Sequence, residues 1–336
     1  MERALQLAAL GKFNAAPNPL VGAVVVHNGN IIGEGYHRAF GEAHAEVNAI
    51  QSVSNQSLLP ESTMYVTLEP CSHFGKTPPC ADLIVQHNFK RVVICNLDPF
   101  EKVAGNGIKK LQAAAIEVES GCLEKKGKYL NRRFFCFHEK KRPYIILKWA
   151  ESADGFIGKM NEQVWLTGAL SKQLVHLWRA EESAILVGKN TAVIDNPELT
   201  VREVAGKNPT RFLVDKNLEV PKNSKIYSNE SNTVVLNSIE TKQEKNIEYI
   251  KVNFDRNLPT QVGKICYNKE VTSIIIEGGA KMLQQFIDSN LWDEARVFKT
   301  RKTLEKGVNS PILKGNVEHS EKLENDVLHV FSNPNA

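Results

Sequence analysis

Between His44 and Cys80 the chain carries a histidine, a glutamate two residues on, and cysteines at positions 71 and 80. His44, Cys71 and Cys80 are ligand types that zinc favours, three of them where a closed structural site takes four. Three protein ligands with an open fourth position mark a catalytic zinc, which brings the pKa of a bound water to ~7. Glu46 stands close enough to move that water's protons without binding the metal. The chemistry open to this set is metal-assisted hydrolysis with a carboxylate as proton carrier. A closed site completed by His73 or His37, or three unrelated residues, is the plainer alternative.

His-x-Glu followed by Pro-Cys-x-x-Cys is the signature of zinc enzymes that deaminate nitrogen heterocycles. Pro70-Cys71 fits it, but eight residues rather than two separate Cys71 from Cys80. In mid-helix His44 and Glu46 would diverge, so the spacing predicts a helix starting near His44, with Val47, Ile50 and Val53 on its apolar side. There the helix dipole also suits an anion. Met64 to Leu68 is a predicted strand delivering Glu69-Pro70-Cys71, and Pro78-Pro79 opens a helix from Cys80 to His87. Around these stand a helix over 2–10 and strands over 21–26 and 31–37 joined at Asn28-Gly29. Strands over 91–95 and 116–119, a helix over 107–115 and one long helix from Leu123 to His138 complete the unit. Strands alternating with helices describe an α/β sandwich.

At 336 residues, 42% of them hydrophobic and 24% charged, the chain is too ordinary in composition to be disordered and long enough for two domains. Lys140-Lys141-Arg142-Pro143 precedes a fresh apolar strand and sets the expected domains at 1–141 and 142–336. A net charge of +4 permits anionic ligands without the concentrated basic face of a nucleic-acid binder. Met1-Glu2-Arg3-Ala4-Leu5 lacks the apolar core of a signal peptide, and no apolar run is long enough to span a membrane. Six cysteines in so long a chain are too sparse for a disulfide scaffold, so Cys95, Cys122, Cys136 and Cys266 read as plain thiols in a reducing cytoplasm.

The second half alternates again, with strands expected at 144–147, 184–187, 212–214, 233–236 and 274–276 and helices at 171–181 and 280–289. No internal repeat relates it to the first half. Ile276-Glu277-Gly278-Gly279-Ala280 runs from strand through glycines to helix, which suits a phosphate cradle and equally a tight turn. It is neither a Rossmann nor a Walker motif. Asp195 and Arg202 read by themselves as a solvated pair.

Pro17-Asn18-Pro19-Leu20-Val21-Gly22, Gly33-Glu34-Gly35-Tyr36-His37, His44-Ala45-Glu46 and Thr67-Leu68-Glu69-Pro70-Cys71 with the stretch to Cys80 resemble the deaminase half of the bifunctional riboflavin-biosynthesis deaminase/reductase family. The long gap between cysteines is that family's own form of the signature. The stretches 147–155, Trp165-Leu166-Thr167-Gly168, 187–202 and 276–280 are similar to its reductase half. The resemblance implies a cytidine-deaminase-like α/β/α sandwich followed by a dihydrofolate-reductase-like α/β domain.

It further implies one zinc ion per deaminase domain on His44, Cys71 and Cys80, Glu46 as catalytic proton shuttle, and Asn18, His37, His73, Lys76 and Asp98 around the deaminase substrate. In the second domain it implies NADPH at Ala150, Trp165, Thr191, Asp195, Gly279, Ala280 and Lys281. Substrate would meet Arg179, Leu199, Arg202 and Glu277, with Lys148 and Asp154 assisting proton delivery. The implied reactions are hydrolytic deamination of 2,5-diamino-6-(5-phosphoribosylamino)pyrimidin-4(3H)-one and then reduction of its ribosyl to a ribityl chain. The expected partners are this small phosphorylated pyrimidine and further copies of the chain in a dimer or tetramer, with no nucleic acid or membrane. Phe100 stands where the family has asparagine, and Gln163 and Lys216 where it has serine; Lys216 could pair with the extra phosphate of NADPH. Rival readings are a deaminase with a weakened reductase domain, a nucleic-acid deaminase such as a tRNA-editing enzyme, and a non-catalytic zinc-binding protein.

Overall fold

The first sheet grows from α1 (Glu2–Ala9) and a hairpin whose turn is written in its residues. Asn28 (φ 48°) and Gly29 (φ 78°) take the two left-handed conformations that a type I′ connection requires, joining β1 (Gly22–His27) to antiparallel β2 (Asn30–Tyr36). The computed structural model describes residues 1–72, 78–100 and 104–335. The chain divides into two units, Met1–Lys141 and Arg142–Ala336.

In the first unit α2 (Ala45–Gln51) follows the hairpin, and β3 (Thr63–Leu68) pairs antiparallel with β1. Next come α3 (Cys80–Gln86), β4 (Arg91–Asn96), α4 (Asn106–Ala113) and β5 (Glu117–Ser120), with β3, β4 and β5 parallel. Among the described residues the sheet order is β2-β1-β3-β4-β5. Side chains alternate across a pleat, so Ala23, Val25, Val66, Val92 and Ile94 share one face, which Ala49, Ile50, Ala81, Ile84 and Leu111 of α2, α3 and α4 cover. Val24 and Val26 face the other way, onto Ala4 and Leu7 of α1. α2 lies so close to β2 that a Cβ on Gly35 would meet Ala49 N at 2.3 Å and Ala45 O at 2.5 Å. That close approach fixes where α2 begins, and with it His44.

The stretch predicted as one helix from Leu123 to His138 is two, α5 (Glu124–Leu130) and α6 (Arg132–Lys140), broken at Asn131 (φ −98°, ψ 22°). The Asn131 amide bridges the Leu20 backbone: Oδ1 accepts from Leu20 N and Nδ2 donates to Leu20 O, both at 2.8 Å. An asparagine that finds such partners favours a break over a continuous helix.

The second unit opens with β6 (Tyr144–Glu151), β7 (Phe156–Gly158), α7 (Ala169–Glu181), β8 (Ala184–Gly188) and α8 (Lys189–Asp195). It continues through β9 (Thr210–Val214), β10 (Thr233–Asn237), β11 (Lys242–Glu244), β12 (Ile247–Lys251) and α9 (Leu258–Asn268). It ends with β13 (Ser273–Glu277), α10 (Ala280–Asp288), β14 (Glu294–Lys299), β15 (Val308–Asn309), β16 (Asn316–Leu323) and β17 (Asp326–Ser332). Among the described residues the large sheet runs β11-β12-β10-β9-β8-β13-β6-β14-β17-β16, parallel from β12 to β14 with antiparallel strands outside.

The continuous apolar runs of the central strands suit a sheet buried on both faces. Val175 and Trp178 of α7 and Ala192 of α8 cover Ile146, Ile185 and Ile275. Val262 and Cys266 of α9 with Leu283 and Phe286 of α10 cover Ile145, Leu186 and Ile276. From β8 the chain steps to β9 on one side, while β13 and β6 lie on the other. The carboxyl ends of these strands are where open parallel sheets bind ligands. No helix among the described residues is long and apolar enough to cross a membrane. All six cysteines are free; Cys95, Cys136 and Cys266 are buried, and Cys122 is half-buried.

Candidate active sites

His44 is the N-cap of α2 in extended geometry (φ −72°, ψ 165°), with Glu46 in the helix's first turn. Cys71 follows β3 and Cys80 is the first residue of α3. The ligand atoms of His44, Cys71 and Cys80 lie within 4.8 Å of one another. His44 Nδ1 is 3.3 Å from Cys80 Sγ and 3.6 Å from Cys71 Sγ. A tetrahedral zinc at its usual bond lengths holds nitrogen and sulfur about 3.6 Å apart, so the donors and their spacing fit the ion. Hydrogen bonding from Cys80 and from His44 holds the Cys71 thiol well below the usual range against the effect of burial. Its hydrogen bond with Cys71, and burial, raise Cys80. Burial also pushes the Glu46 carboxyl up to about 7, the Cys71 charge adding to that and His44 opposing it.

Asn18 and His37 come to the same place. His37 is buried, its ring edge-on to His44 at 5.6 Å. His37 Nδ1 lies 3.1 Å from Ala43 O and Nε2 lies 3.0 Å from Asn18 Nδ2. A carbonyl only accepts and an amide nitrogen only donates, so the proton sits on Nδ1 and Nε2 accepts from Asn18. Asp98 is buried, which pushes its carboxyl up to about 7, and its Oδ1 accepts from Phe100 N at 2.8 Å. The Phe100 ring packs against His138 of α6 with centroids 5.2 Å apart. His73 and Lys76 lie outside the described residues.

Glu69 sits in the recognised motif but carries no expected role from the sequence. Among the described residues its buried carboxylate accepts from the backbone N–H groups of Asp98, Gly105, Gly107 and Ile108. Oε1 takes Gly107 at 2.9 Å and Ile108 at 3.3 Å, and Oε2 takes Gly105 at 2.9 Å and Asp98 at 3.4 Å. It thereby caps α4 and ties the Asp98 loop to the segment bearing Cys71. An acid at the end of a buried strand, two residues before a ligand, is the sequence signal for it.

In the second unit the carboxyl ends of β6, β8 and β13 open on a cavity of about 790 Å³. Lys148, Ala150, Trp165, Arg179, Thr191, Asp195, Leu199, Arg202, Glu277, Gly279, Ala280 and Lys281 all line it. Asp154 is not among the lining residues. Its carboxylate accepts from Leu304 N at 3.0 Å, Glu305 N at 2.7 Å and Ser152 Oγ at 2.5 Å, so it clasps a turn.

On one wall Arg179 Nη2 donates to Glu277 Oε2 at 2.9 Å, and Lys148 Nζ lies 4.0 Å from Glu277 Oε1. Glu277 Oε1 and Arg179 Nε are buried without a hydrogen-bond partner among the described residues. Buried polar atoms left unpaired are costly, and here they face a cavity that a ligand can fill. Burial lowers the Lys148 pKa, partly offset by Glu277. Burial pushes the Glu277 carboxyl up, but Arg179 and Lys148 outweigh it and hold the group below its usual range.

On another wall Gly278 (φ 91°) and Gly279 (φ 79°) turn β13 into α10, whose start has no side-chain cap. A Cβ on Gly278 would meet Thr191 Oγ1 at 2.8 Å. An uncapped helix start lining a cavity suits phosphate, and the Trp165 ring, 67% exposed, offers a stacking face. This donor set fits a phosphate-bearing nicotinamide cofactor. Gln163 Nε2 donates to Asp195 O at 3.3 Å. Lys216 instead lies over the Phe254 ring at 5.7 Å and is not among the lining residues. His176, which no motif singles out, lines the cavity and accepts a hydrogen bond from Arg202 N.

Residues 1–96 match the family described as the cytidine and deoxycytidylate deaminase zinc-binding region, and residues 143–325 match the RibD C-terminal domain. The chain is 39% identical over 316 residues to the riboflavin biosynthesis protein RibD of Aquifex aeolicus, covering 92% of this chain and 88% of that one. The Acinetobacter baumannii RibD structure superposes with a TM-score of 0.91 at 30% identity, covering 98% and 97% of the two chains. A Thermotoga maritima diaminohydroxyphosphoribosylaminopyrimidine deaminase/5-amino-6-(5-phosphoribosylamino)uracil reductase gives 0.90 at 34% identity, covering 99% and 97%. The first unit is thus cytidine-deaminase-like and the second dihydrofolate-reductase-like. Two domain matches in the same order as in near-full-length relatives leave one conclusion: the chain belongs to the RibD family of riboflavin biosynthesis, which joins a zinc-dependent deaminase to an oxidoreductase.

Proposed function

We propose that the unit Met1–Lys141 deaminates 2,5-diamino-6-(5-phosphoribosylamino)pyrimidin-4(3H)-one, and that Arg142–Ala336 then reduces the product with NADPH to 5-amino-6-(5-phosphoribitylamino)uracil. The observation that carries the reading is the His44–Cys71–Cys80 triangle, spaced for zinc, with the buried Glu46 carboxyl beside it. Zinc, when bound, supplies the Lewis acidity that makes water a nucleophile near neutral pH. Glu46 takes the water's first proton to the ring nitrogen and then the second, from the hydroxyl now on the ring carbon, to the departing amine, so water is consumed, the carbonyl forms and ammonia is released. Asn18, held by His37, presents its remaining amide positions to the pyrimidine edge, and Asp98 faces the same pocket. His73 and Lys76 belong to this reading through the family resemblance, Lys76 as partner of the substrate phosphate.

NADPH, when bound, supplies the hydride that converts ribosyl to ribityl. The start of α10 at Gly279, Ala280 and Lys281 holds its phosphates, with Ala150, Trp165, Thr191 and Asp195 lining its path. Lys148 holds the proton destined for the sugar oxygen as the ring opens, and Glu277 keeps that ammonium charged. Arg179 and Arg202 bind the substrate phosphate beside Leu199. Glu277 Oε1, without a hydrogen-bond partner among the described residues, favours an intact reductase over a weakened one. A cytoplasmic homo-oligomer completes the reading.

The test is to supply the diaminopyrimidine phosphate with and without NADPH, following ammonia and NADPH absorbance together. Ammonia is expected in both samples and NADPH loss in the second. NADPH loss without prior ammonia would overturn the order of steps.

A further inference from the structure

His176 lies on α7 three residues before Arg179, so the two side chains share one helix face. It is only 2% exposed and lines the cavity. Its Nδ1 accepts from Arg202 N at 3.1 Å across the space between α7 and the turn over residues 199–202. That turn contains Leu199 at φ 57°, in the left-handed region that a leucine adopts only when its surroundings hold it there.

The holding groups are few. Val201 N donates to Asn208 Oδ1 at 2.8 Å, and Arg202 N donates to His176. The Arg202 guanidinium is then steadied by Thr200 Oγ1 at 2.6 Å and Glu198 Oε2 at 2.9 Å. An imidazole accepting at Nδ1 carries its proton on Nε2 and is neutral. Burial first, and then the Arg179 and Arg202 charges, reinforce this by pushing its pKa down to about 4.

We propose that His176 is a positioning residue for the reductase phosphate site: through Nδ1 it locks the Arg202 backbone and, as a neutral ring, sets Arg202 beside Arg179 for one phosphate monoester. This rests on reading Arg179 and Arg202 as the substrate's phosphate ligands. A third cation between the arginines would bind phosphate without geometry; a neutral acceptor gives the geometry and leaves charge to the two guanidiniums. The role acts on binding rather than on hydride transfer, so it moves KM and leaves kcat nearly alone.

The test compares His176→Ala, His176→Asn and His176→Gln in the full chain, using the deaminated substrate, NADPH and inorganic phosphate as a competing probe. Asparagine keeps an acceptor near the Nδ1 position, whereas glutamine moves it one bond further out. His176→Ala is expected to raise the substrate KM about tenfold and to weaken phosphate inhibition in parallel, with kcat and the NADPH KM within about twofold. His176→Asn should recover most of the loss and His176→Gln should not. An unchanged KM in His176→Ala, a fall confined to kcat, or equal KM values for Asn and Gln would overturn the proposal. If the alanine variant does not fold, the Asn and Gln pair decides alone. NADPH consumption by the unmutated chain tests the reading of the cavity separately, so the two failures are distinguishable.

Discussion

Glu69→Gln keeps the volume of a buried side chain and removes one acceptor oxygen from these backbone donors. Each oxygen of Glu69 takes one short bond, 2.9 Å to Gly107 or Gly105, and one long one, 3.3 Å to Ile108 or 3.4 Å to Asp98. Whichever way the new amide turns, its NH₂ faces two N–H groups and one short and one long bond are lost. The short donor left unpaired costs about 1–3 kcal/mol and the loss of the long, weaker contact about 1 kcal/mol more, so the total is about 2–4 kcal/mol. For a unit of this size that is a drop of about 6–12 °C in midpoint. Calorimetry on the zinc-loaded full chain measures it, with deaminase KM as a second readout because the loop bearing Asp98 hangs on this side chain. A deaminase-unit midpoint within a degree of the unmutated chain would refute the claim that Glu69 holds this loop.

Other expected outcomes follow from the reductase cavity. Lys148→Met should lower reductase kcat by about 10²–10⁴-fold, the usual yield of a positioned proton donor, with the NADPH KM unchanged. The Lys148 proton is lost as pH rises through a pKa that burial has depressed. The unmutated reductase rate should therefore decline on the alkaline side at a lower pH than free lysine would give, and a decline that persists in Lys148→Met would count against Lys148. Gly278→Ala places a Cβ 2.8 Å from Thr191 Oγ1 at φ 91°, so the NADPH KM should rise at least tenfold, read by steady-state kinetics. An unchanged KM would show that the glycine turn does not shape the cofactor site.

What a sequence can disclose depends on how local the cause is. The first hairpin is legible because Asn28 and Gly29 tolerate the positive φ angles that the turn requires. β16 is not, since nearly all its side chains are exposed and no alternation marks it; it is a strand because β17 pairs with it. α9 hides behind Pro259, which reads as a breaker, although Asn257 caps the helix by accepting from Thr260 N at 3.1 Å and proline is tolerated in a first turn. The break at Asn131 depends on Leu20, more than a hundred residues away.

The sites divide the same way. His44, Glu46, Cys71 and Cys80 stand out because their types are rare and their spacing chemical. The second cavity gathers its walls from β6, α7, α8, the turn at 199–202 and the start of α10, and no single spacing announces it. His176 is an ordinary helix residue until Arg202 folds against it. Asp154 shows the converse: it lies in a matching motif, yet its carboxylate serves the backbone of Leu304 and Glu305.

The assignment of Glu46 as proton carrier is decided by Glu46→Gln, which removes that carrier and leaves the three ligands in place. In the full chain, zinc content, ammonia release and NADPH absorbance are measured on one preparation, first with the diaminopyrimidine phosphate and then with its deaminated product. Expected are full zinc occupancy, loss of ammonia release and of the NADPH consumption that depends on it, and normal NADPH consumption once the deaminated product is supplied. Undiminished ammonia release with zinc retained would contradict that assignment.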